Sequence, residues 1–168
     1  MVSSLNGRIT SGNTNANQWW ASKEDQRHFY SLLQQAQLIV MGSKTFEASR
    51  KERILSPQTL RVILTRNPKK YQKETIPGQI EFSDESPKRL TSRLAKAGYK
   101  NMLLVGGGEA NTLFFKANLV DELLLTIEPL IFGTGKSLIA DGSFSTRLKL
   151  KKVTKLNKQG TLLLHYVR

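Results

Sequence analysis

Three consecutive glycines follow an apolar run near the middle of the chain. Residues 103–105 predict a buried strand, and Gly106, Gly107 and Gly108 then lead into a predicted helix. Glycine lets backbone N–H groups approach an anion without interference from Cβ, and a helix N-terminus supplies unpaired donors and the positive end of the dipole. The segment is therefore predicted to hold a phosphate group. The alternative is a tight strand–helix turn without a ligand.

A second turn of the same layout occurs earlier in the chain. Apolar residues precede Gly42, and Ser43, Lys44 and Thr45 follow it with two hydroxyl groups and a positive charge. Two such turns in a small protein indicate a ligand with several phosphates.

Two widespread nucleotide-binding motifs are absent. The dinucleotide pattern G-x-G-x-x-G requires a third glycine where Asn111 stands. Residues 133–137 resemble the end of a P-loop, but Leu130 occupies the place of its first glycine. The sequence therefore excludes a Walker-type site, and we interpret Lys136 as a solvated turn residue.

The composition predicts one cytoplasmic domain covering residues 1–168. No apolar run approaches the ~18 residues of a membrane helix, and no signal peptide is visible. The chain has no cysteine, and His28 and His165 lack metal-ligand spacing, so no metal site is expected.

The net charge is +13, with 26 basic and 13 acidic residues. Such a surface attracts polyanions, nucleic acid included. The basic residues are dispersed, however, and are not interleaved with aromatic residues as a stacking platform requires. A solvated basic face is therefore favoured over a nucleic-acid interface.

Hydrophobic periodicity and turn signals predict an alternation of strands and helices. Strands are expected at residues 1–5, 38–41, 61–65, 79–82, 101–105, 119–127, 149–155 and 161–167. Helices are expected at residues 45–50, 87–97 and 109–117, and from the N-cap Ser22 to about Ala36. This order predicts an α/β fold whose sheet is mostly parallel and ends in an antiparallel C-terminal edge pair.

Several motifs, in this order and spacing, resemble the dihydrofolate reductase-like fold. The chain is most similar to the reductase domain of the bacterial riboflavin-pathway deaminase–reductases, over nearly its whole length. The resemblance implies a three-layer fold with helices on both faces of the sheet. The matching segments are residues 4–9 (SLNGRI), 40–47 (VMGSKTFE), 64–67 (LTRN), 105–109 (VGGGE), 119–123 (LVDEL), Pro129 and residues 133–135 (GTG).

The resemblance implies an NADPH-dependent reductase. The glycine turn after residue 105, with Glu109 and Ala110 at the helix start, would hold the cofactor pyrophosphate. The turn after Gly42 would add further donors. Thr65 and Arg66 would meet the 2′-phosphate, since a guanidinium group binds phosphate through two hydrogen bonds. That contact would favour NADPH over NADH.

The resemblance also implies a small-molecule substrate, an aminopyrimidine ribose phosphate, contacted by Asn6, Trp19 and Arg27, with Asn6 and Asp25 as the expected catalytic residues. Asn6 stands where the family pattern has aspartate, and its amide can both donate and accept. It equally suits a tight turn with the glycine that follows. The family's D-P-x-L-T-x-R stretch is missing from residues 49–55, where Arg50 or Arg53 would have to substitute.

Two alternatives remain open. Trp20, Asp25 and Phe29 match the spacing W-x₄-D-x₃-F of true dihydrofolate reductases, in which a carboxyl group supports protonation of the pterin. Asp25 equally suits the first turn of a helix. The non-enzyme alternative is a decayed reductase scaffold with a basic, polyanion-binding surface.

Self-association is predicted from the apolar C-terminal half. Residues 119–127 form the strongest strand pattern, and residues 129–132 extend it with further apolar side chains. A homodimer would bury part of this segment; otherwise it is the central strand of one subunit's sheet. Met1 lies inside the first predicted strand, which is therefore expected to be short.

Overall fold

The computed structural model describes residues 1–12, 20–50 and 55–168. The strands in these ranges are β1 (Val2–Ser4), β2 (Leu38–Gly42), β3 (Leu60–Leu64), β4 (Ile80–Ser83), β5 (Leu103–Leu104), β6 (Glu122–Glu128), β7 (Lys149–Lys155) and β8 (Leu162–Val167). The helices are α1 (Lys23–Gln35), α2 (Ser43–Ala48), α3 (Pro87–Lys96) and α4 (Gly108–Lys116), with a 3₁₀ helix at Pro68–Glu74.

The first sheet is entirely parallel and has the strand order β4, β3, β2, β5. Because side chains alternate along a strand, its apolar strands bury both faces. Val40 and Val62 lie on one face, packed with Leu90 and Leu94 of α3 and Phe114 of α4. These five side chains are at most 2% exposed.

The opposite face of the first sheet carries a second buried cluster. Ile39 and Ile63 pack there against Phe46 of α2 and Tyr71 of the 3₁₀ helix, and Leu33 of α1 lies against the same cluster. Helices thus cover both faces, which confirms the three-layer α/β fold expected from the sequence.

The second sheet has the order β1, β6, β8, β7. β1 runs parallel to β6, whereas β6–β8 and β7–β8 are antiparallel, which confirms the expected antiparallel edge. The turn between β7 and β8 is held by Asn157, whose Oδ1 accepts the N–H groups of Gly160 and Thr161 at 3.1 Å.

Most element boundaries agree with the sequence pattern to within one or two residues, and two differ for visible reasons. β6 begins at Glu122 rather than at 119, because Leu119 and Val120 pack onto the first-sheet cluster beside Phe114. α2 begins at Ser43 rather than at 45, directly after Gly42 leaves β2. The 3₁₀ helix was not expected from the sequence.

α1 is fixed to the second sheet through its N-terminus. The Ser22 side chain caps the helix by accepting the N–H of Asp25 at 3.3 Å. Glu128 of β6 accepts the N–H of Ser22 at 2.7 Å and the hydroxyl of Thr161 at 2.6 Å. A carboxylate at this position complements the positive end of the helix dipole.

No helix in the described ranges has the length and apolar character needed to cross a bilayer.

Candidate functional site

The two glycine turns lie side by side at one edge of the first sheet. β2 and β5 are parallel neighbours, so their carboxyl ends reach the same edge. The N–H of Val105 donates to Val40 O at 2.9 Å, and the N–H of Gly42 donates to Gly106 O at 2.8 Å. The N-termini of α2 and α4 are thereby brought together, as the sequence motifs required for a ligand with several phosphates.

Close packing between the turns explains the glycines at 106 and 107. Gly106 has φ +92°, a conformation that residues with a side chain rarely adopt, and the Gly106–Gly107 peptide bond is cis. A Cβ on Gly107 would lie 3.3 Å from the hydroxyl oxygen of Thr45. Thr45 and Gly107 thus face each other closely between the two helix starts, and we call this place the cleft. The Cβ of Ala110 lies 3.7 Å from where a Cβ on Gly42 would stand.

Gly108 has a different reason to be glycine. A Cβ at this position would collide with the carbonyl oxygen of Ser137, and the N–H of Ala140 donates to Gly108 O at 3.4 Å. The close backbone approach at Gly108 is therefore to the chain itself. Its expected contact with a phosphate stays a prediction.

Asn111 shows why the dinucleotide pattern fails at its third glycine. The side chain is fully buried, and its Nδ2 donates to Leu138 O at 2.8 Å. The Asn111 amide thus holds α4 to the segment around Leu138, which also lies against Gly108. An asparagine with a packing role stands where the dinucleotide motif places its last glycine.

Four charged side chains meet at the mouth of the cleft. Lys44 and Glu109, both expected to contact the cofactor, form an ion pair of 2.7 Å with each other. The hydrogen bond from Lys44 is the main cause that holds the pKa of Glu109 below its ordinary value, and the charges of Lys44, Arg66 and Lys136 add to it. One cation therefore pairs with this carboxylate, and two more lie close enough to act on its pKa.

Arg66 reaches this edge because β3 is the next strand beyond β2. Thr65 ends β3 with its N–H donating to Ser83 O at 2.9 Å, and its hydroxyl accepts the N–H of Asn67 at 3.2 Å. The Thr65 hydroxyl thus shapes the turn that presents Arg66.

Lys136 is exposed, as expected of a solvated turn residue, and its charge also acts on Glu109 of the candidate site. Residues 7–12 and 134–138 run alongside each other, with the N–H of Ile9 donating to Lys136 O at 2.8 Å and that of Leu138 to Gly7 O at 3.0 Å. This pairing carries Lys136 towards Glu109. No local motif indicates that Lys136 lies near Glu109, because the two paired segments are more than 120 residues apart in the sequence.

Asp25 forms the other half of the candidate site. Its side chain lies buried against β6, where it hydrogen-bonds to the Thr126 hydroxyl. Burial is the main cause that raises the pKa of Asp25, and the nearby Glu128 charge raises it further. The Thr126 hydrogen bond, the Met1 amine and His28 act in the opposite direction. Asp25 therefore keeps its proton to a higher pH than an exposed aspartate.

Met1 connects the two halves. Its amine donates to Leu124 O at 2.8 Å, and burial lowers the pKa of this amine while the Asp25 charge partly offsets that effect. Its sulfur lies 3.8 Å from where a Cβ on Gly106 would stand. Similarly, the Cδ1 of Ile9 lies 3.9 Å from where a Cβ on Gly107 would stand. Asp25 and the glycine turn are thus on either side of the first strand.

The side chain of Asn6 is hydrogen-bonded to the loop that follows β6. Its Nδ2 donates to Phe132 O at 2.8 Å, and its Oδ1 accepts the N–H of Phe132 at 3.2 Å and the hydroxyl of Ser4 at 2.7 Å. The ring of Phe132 contacts Trp20 edge-on, with centroids 5.2 Å apart. The structure supports the turn interpretation of Asn6, while its expected roles in catalysis and substrate binding stay predictions.

The other expected substrate contacts are less well placed. Arg27 is 74% exposed and pairs with Glu24 at 2.9 Å, on the side of α1 away from Asp25. Arg50 forms an ion pair with Glu74. Trp19 and Arg53 lie outside the described residues. Their roles therefore stay predictions.

Thr126 and Glu128 were missed by the sequence interpretation, although a signal existed. They are the polar residues at alternate positions of an otherwise apolar strand, which places both on one face of β6. That face meets α1, which explains why one residue bonds to Asp25 and the other to the N–H of Ser22.

With its fold and site described, the chain can be placed by comparison. The family model of the RibD C-terminal domain matches residues 1–162, and the chain belongs to this family. The uncharacterized protein YwjB of Bacillus subtilis is 26% identical over 150 residues, covering 86% of this chain and 81% of YwjB. The uncharacterized protein YyaP of the same organism is 29% identical over 142 residues, covering 80% and 74%.

Solved structures show the same fold. A putative riboflavin biosynthesis protein from Shewanella sp. PV-4 superposes with a TM-score of 0.75 at 19% identity, covering all of this chain and 96% of that one. A diaminohydroxyphosphoribosylaminopyrimidine deaminase/5-amino-6-(5-phosphoribosylamino)uracil reductase from Thermotoga maritima superposes with a TM-score of 0.73 at 17% identity. This chain is covered to 99%, but it spans only 54% of the Thermotoga protein.

Proposed function

We propose that this protein is an NADPH-dependent reductase of a small heterocyclic substrate of the riboflavin-pathway pyrimidine type. One observation carries the proposal: the turns after β2 and β5 are joined by the hydrogen bond from Gly42 to Gly106, with Arg66 beside them. Membership in the RibD C-terminal domain family supports it.

The cleft between the turns fits a dinucleotide phosphate. Because Gly107 lacks a Cβ, its backbone lies close to the Thr45 hydroxyl, and we expect both to contact a phosphate oxygen. The first N–H groups of α4 point towards this edge, as the N-terminal amides of a helix do. Ser43 and Lys44 would add a hydroxyl group and a charge. Bound NADPH would supply a hydride; the protein supplies binding, orientation and protons.

Arg66 is the residue proposed to select NADPH over NADH. Its guanidinium is exposed at the cleft mouth, near enough to Glu109 to lower the pKa of that carboxyl. A 2′-phosphate would offer it a doubly charged partner with several acceptor oxygens. NADH, which has a hydroxyl group at this position, offers no such partner.

The pyrimidine substrate class is proposed from the family and from the name of the Thermotoga relative, which includes a uracil reductase. The reacting carbon would have to lie next to the nicotinamide of the bound cofactor. The missing D-P-x-L-T-x-R motif means that a substrate phosphate, if present, needs a different cation.

Dihydrofolate is the second candidate substrate, because a specific observation favours it. Asp25 is a buried carboxyl with a raised pKa, bonded to Thr126 beside the first strand. A protonated acid at this place can deliver a proton to a ring nitrogen while hydride reaches the adjacent carbon.

Cofactor titration tests the proposal. NADPH and NADH binding to the wild type, Arg66→Ala and Arg147→Ala would be followed by nucleotide fluorescence. Arg147 is an exposed arginine before β7, so it matches the charge change away from the cleft. We expect Arg66→Ala to weaken NADPH binding by roughly ten- to a hundredfold, because it removes a charged hydrogen bond to the 2′-phosphate. NADH binding should change little. Equal NADPH and NADH affinity in the wild type, unchanged in Arg66→Ala, would contradict it.

Turnover assays then separate the substrates. Loss of NADPH absorbance would be measured with aminopyrimidine ribose derivatives, with simple pyrimidines and with dihydrofolate. We expect turnover with a pyrimidine. Fast dihydrofolate reduction that Asp25→Asn abolishes would establish the second candidate instead. Absence of NADPH binding combined with salt-sensitive RNA binding would favour the decayed scaffold.

A further inference from the structure

Two buried carboxyl groups lie on the same side of the second sheet. Asp25 of α1 is 5% exposed, and Glu128 of β6 is 4% exposed. Thr126, which hydrogen-bonds to Asp25, stands two residues before Glu128, so Thr126 and Glu128 share a face of β6. Alternate residues of a strand are about 7 Å apart, which brings the second carboxyl near the first. The proposed proton donor therefore has a carboxyl neighbour to which no role in the reaction has been given.

A serine connects the two carboxyl-bearing residues. Ser22 Oγ accepts the N–H of Asp25 at 3.3 Å, and the N–H of Ser22 donates to Glu128 Oε1 at 2.7 Å. Lys23 and Glu24, with opposite charges, follow in the first turn of α1 and line the same surface groove as Glu128. Because Glu128 holds the residue that caps α1, it also fixes where Asp25 stands against β6.

The other oxygen of Glu128 receives a hydrogen bond whose direction is fixed by its neighbours. Asn157 Oδ1 accepts the N–H groups of Gly160 and Thr161, so Asn157 Nδ2 is the donor that meets the Thr161 hydroxyl oxygen at 2.9 Å. The Thr161 hydroxyl has one proton, and it donates that proton to Glu128 Oε2 at 2.6 Å. Both oxygens of Glu128 are therefore acceptors, as the oxygens of an ionised carboxylate are.

Asp25 has different surroundings. Burial of its side chain is the main cause that raises the pKa of Asp25, and its hydrogen bond to Thr126 acts in the opposite direction. The charge of Glu128 raises this pKa further, whereas His28 of the same helix and the Met1 amine before β1 lower it. Two neighbouring carboxyl groups in surroundings this different are expected to carry their proton on one member of the pair, and here that member is Asp25.

We propose that Glu128 is a positioning residue of the candidate active site, a fixed negative charge that keeps the proton on Asp25. This proposal rests on the proposed reductase function, in which Asp25 donates a proton to a substrate nitrogen. Once the proton has left, Asp25 is a second negative charge beside Glu128, and their repulsion favours the return of a proton from solvent. The pair thereby prepares the donor for the next turnover at pH values where an exposed aspartate is ionised.

Two glutamine variants with the same change of charge test the proposal. Glu128→Gln removes the charge of Glu128, while its amide can still accept the Ser22 N–H and donate to the Thr161 oxygen. Glu24→Gln removes a charge from the first turn of the same helix. The side chain of Glu24 is 34% exposed and pairs with Arg27 at 2.9 Å, so solvent and a cation already screen its charge. Glu24→Gln is therefore the matched control.

Carbon NMR of the side-chain carboxyl groups measures the titration of Asp25, whose signal is identified by its absence from Asp25→Asn. We expect Glu128→Gln to weaken proton binding at Asp25 by about three- to tenfold, because a neighbouring like charge is removed. Glu24→Gln should change it by less than about twofold. Proton binding at Asp25 that is unchanged in Glu128→Gln, or weakened equally in both glutamine variants, would overturn the proposal.

A second NMR measurement uses the wild type alone, so it does not depend on whether Glu128→Gln folds. The Glu128 signal should be that of a carboxylate at pH values where the Asp25 signal is that of a protonated acid. The reverse order of protonation would overturn the proposal.

The pH profile of turnover separates this proposal from the proposed function. kcat/KM should fall with rising pH as Asp25 loses its proton, and Glu128→Gln should move this fall to lower pH with unchanged NADPH affinity. A merely structural role of Glu128 would instead lower kcat/KM equally at every pH. An unmoved profile would thus overturn the proposal and leave the reductase function intact. Absence of turnover in every chain, with weakened proton binding at Asp25 in Glu128→Gln, would contradict the reductase function and still support the carboxyl pair.

Discussion

Lys44 and Glu109 form an ion pair of 2.7 Å that joins the first turn of α2 to the first turn of α4. Their side chains are 64% and 70% exposed, and pairs this exposed contribute little to stability. The pair matters more for the electrostatics of the cleft. Glu109 places a negative charge where a phosphate group is proposed to bind, and it accepts a hydrogen bond from the lysine that a phosphate would otherwise use.

Opposite effects on cofactor affinity are therefore predicted for the two partners. Glu109→Gln removes the competing charge and should tighten NADPH binding by about three- to tenfold, whereas Lys44→Met should weaken it by a similar factor. The melting temperature should change little in either variant. Fluorescence titration at low salt measures the affinities, and a shift in the same direction for both variants would show that the pair acts only as a structural clasp.

Glycine substitutions separate chain packing from ligand binding. Gly108→Ala should lower the free energy of unfolding by about 1–3 kcal/mol, because the new Cβ collides with the Ser137 carbonyl oxygen. Gly133→Ala is the matched control, since no atom lies within 4 Å of its Cβ position, and it should change stability by less than about 1 kcal/mol. Urea denaturation measures both. Equal effects would mean that the segment around Ser137 moves to accommodate the new Cβ without loss of stability.

The buried hydrogen bond between Thr161 and Glu128 predicts a specific loss of stability. Thr161→Val keeps the shape of the side chain but leaves Glu128 Oε2 without the hydroxyl donor that now lies 2.6 Å away. The cost should be about 1–3 kcal/mol, the usual penalty for an unsatisfied buried group. Thr161→Ser retains the hydroxyl and should cost clearly less. If both variants lose the same stability, the methyl group rather than the hydroxyl is responsible.

Local sequence patterns were sufficient for most of the fold. Short apolar runs such as residues 38–41 identified the strands, and Ser22 located the start of α1, because these signals depend only on near neighbours. The two glycine turns were likewise visible in the sequence. Their adjacency followed from the parallel order of β2 and β5.

The parts that the sequence did not predict depend on contacts between distant segments. Lys136 reaches the cleft through pairing with residues near Ile9, and Asn6 is held by the backbone of Phe132. The reason for glycine at 108 is the carbonyl of Ser137. No window of local sequence contains both partners of these contacts, so a motif assigned Gly108 and Asn6 to the ligand when chain packing also requires them.

A pH-dependent stability difference is predicted for Asp25. Burial raises the pKa of this carboxyl in the folded protein above its ordinary value of 3.8. Between the two values the folded protein holds more protons than the unfolded chain, so the free energy of unfolding falls as pH rises. The contribution of the protonated carboxyl is fully present below pH 3.8 and is lost as pH rises to the raised value. Asp25→Asn removes this loss, and its stability relative to the wild type should increase as pH rises from 3.8 to the raised pKa of the carboxyl.

His28 requires a control, because burial lowers its pKa below 6.5 and the Asp25 charge acts on it. A lowered histidine pKa makes stability rise with pH, which is opposite in sign to the effect of Asp25. The comparison of the wild type with Asp25→Asn should therefore be repeated in a His28→Gln background, by urea denaturation at each pH. The stability gain of Asp25→Asn should survive there.

Asp25→Asn should also lower turnover by at least a hundredfold, roughly, with unchanged NADPH affinity, because a proton donor acts in the chemical step and not in cofactor binding. A pH-independent difference between the two chains would show that folding does not raise the pKa of Asp25, and it would remove Asp25 as the proton donor.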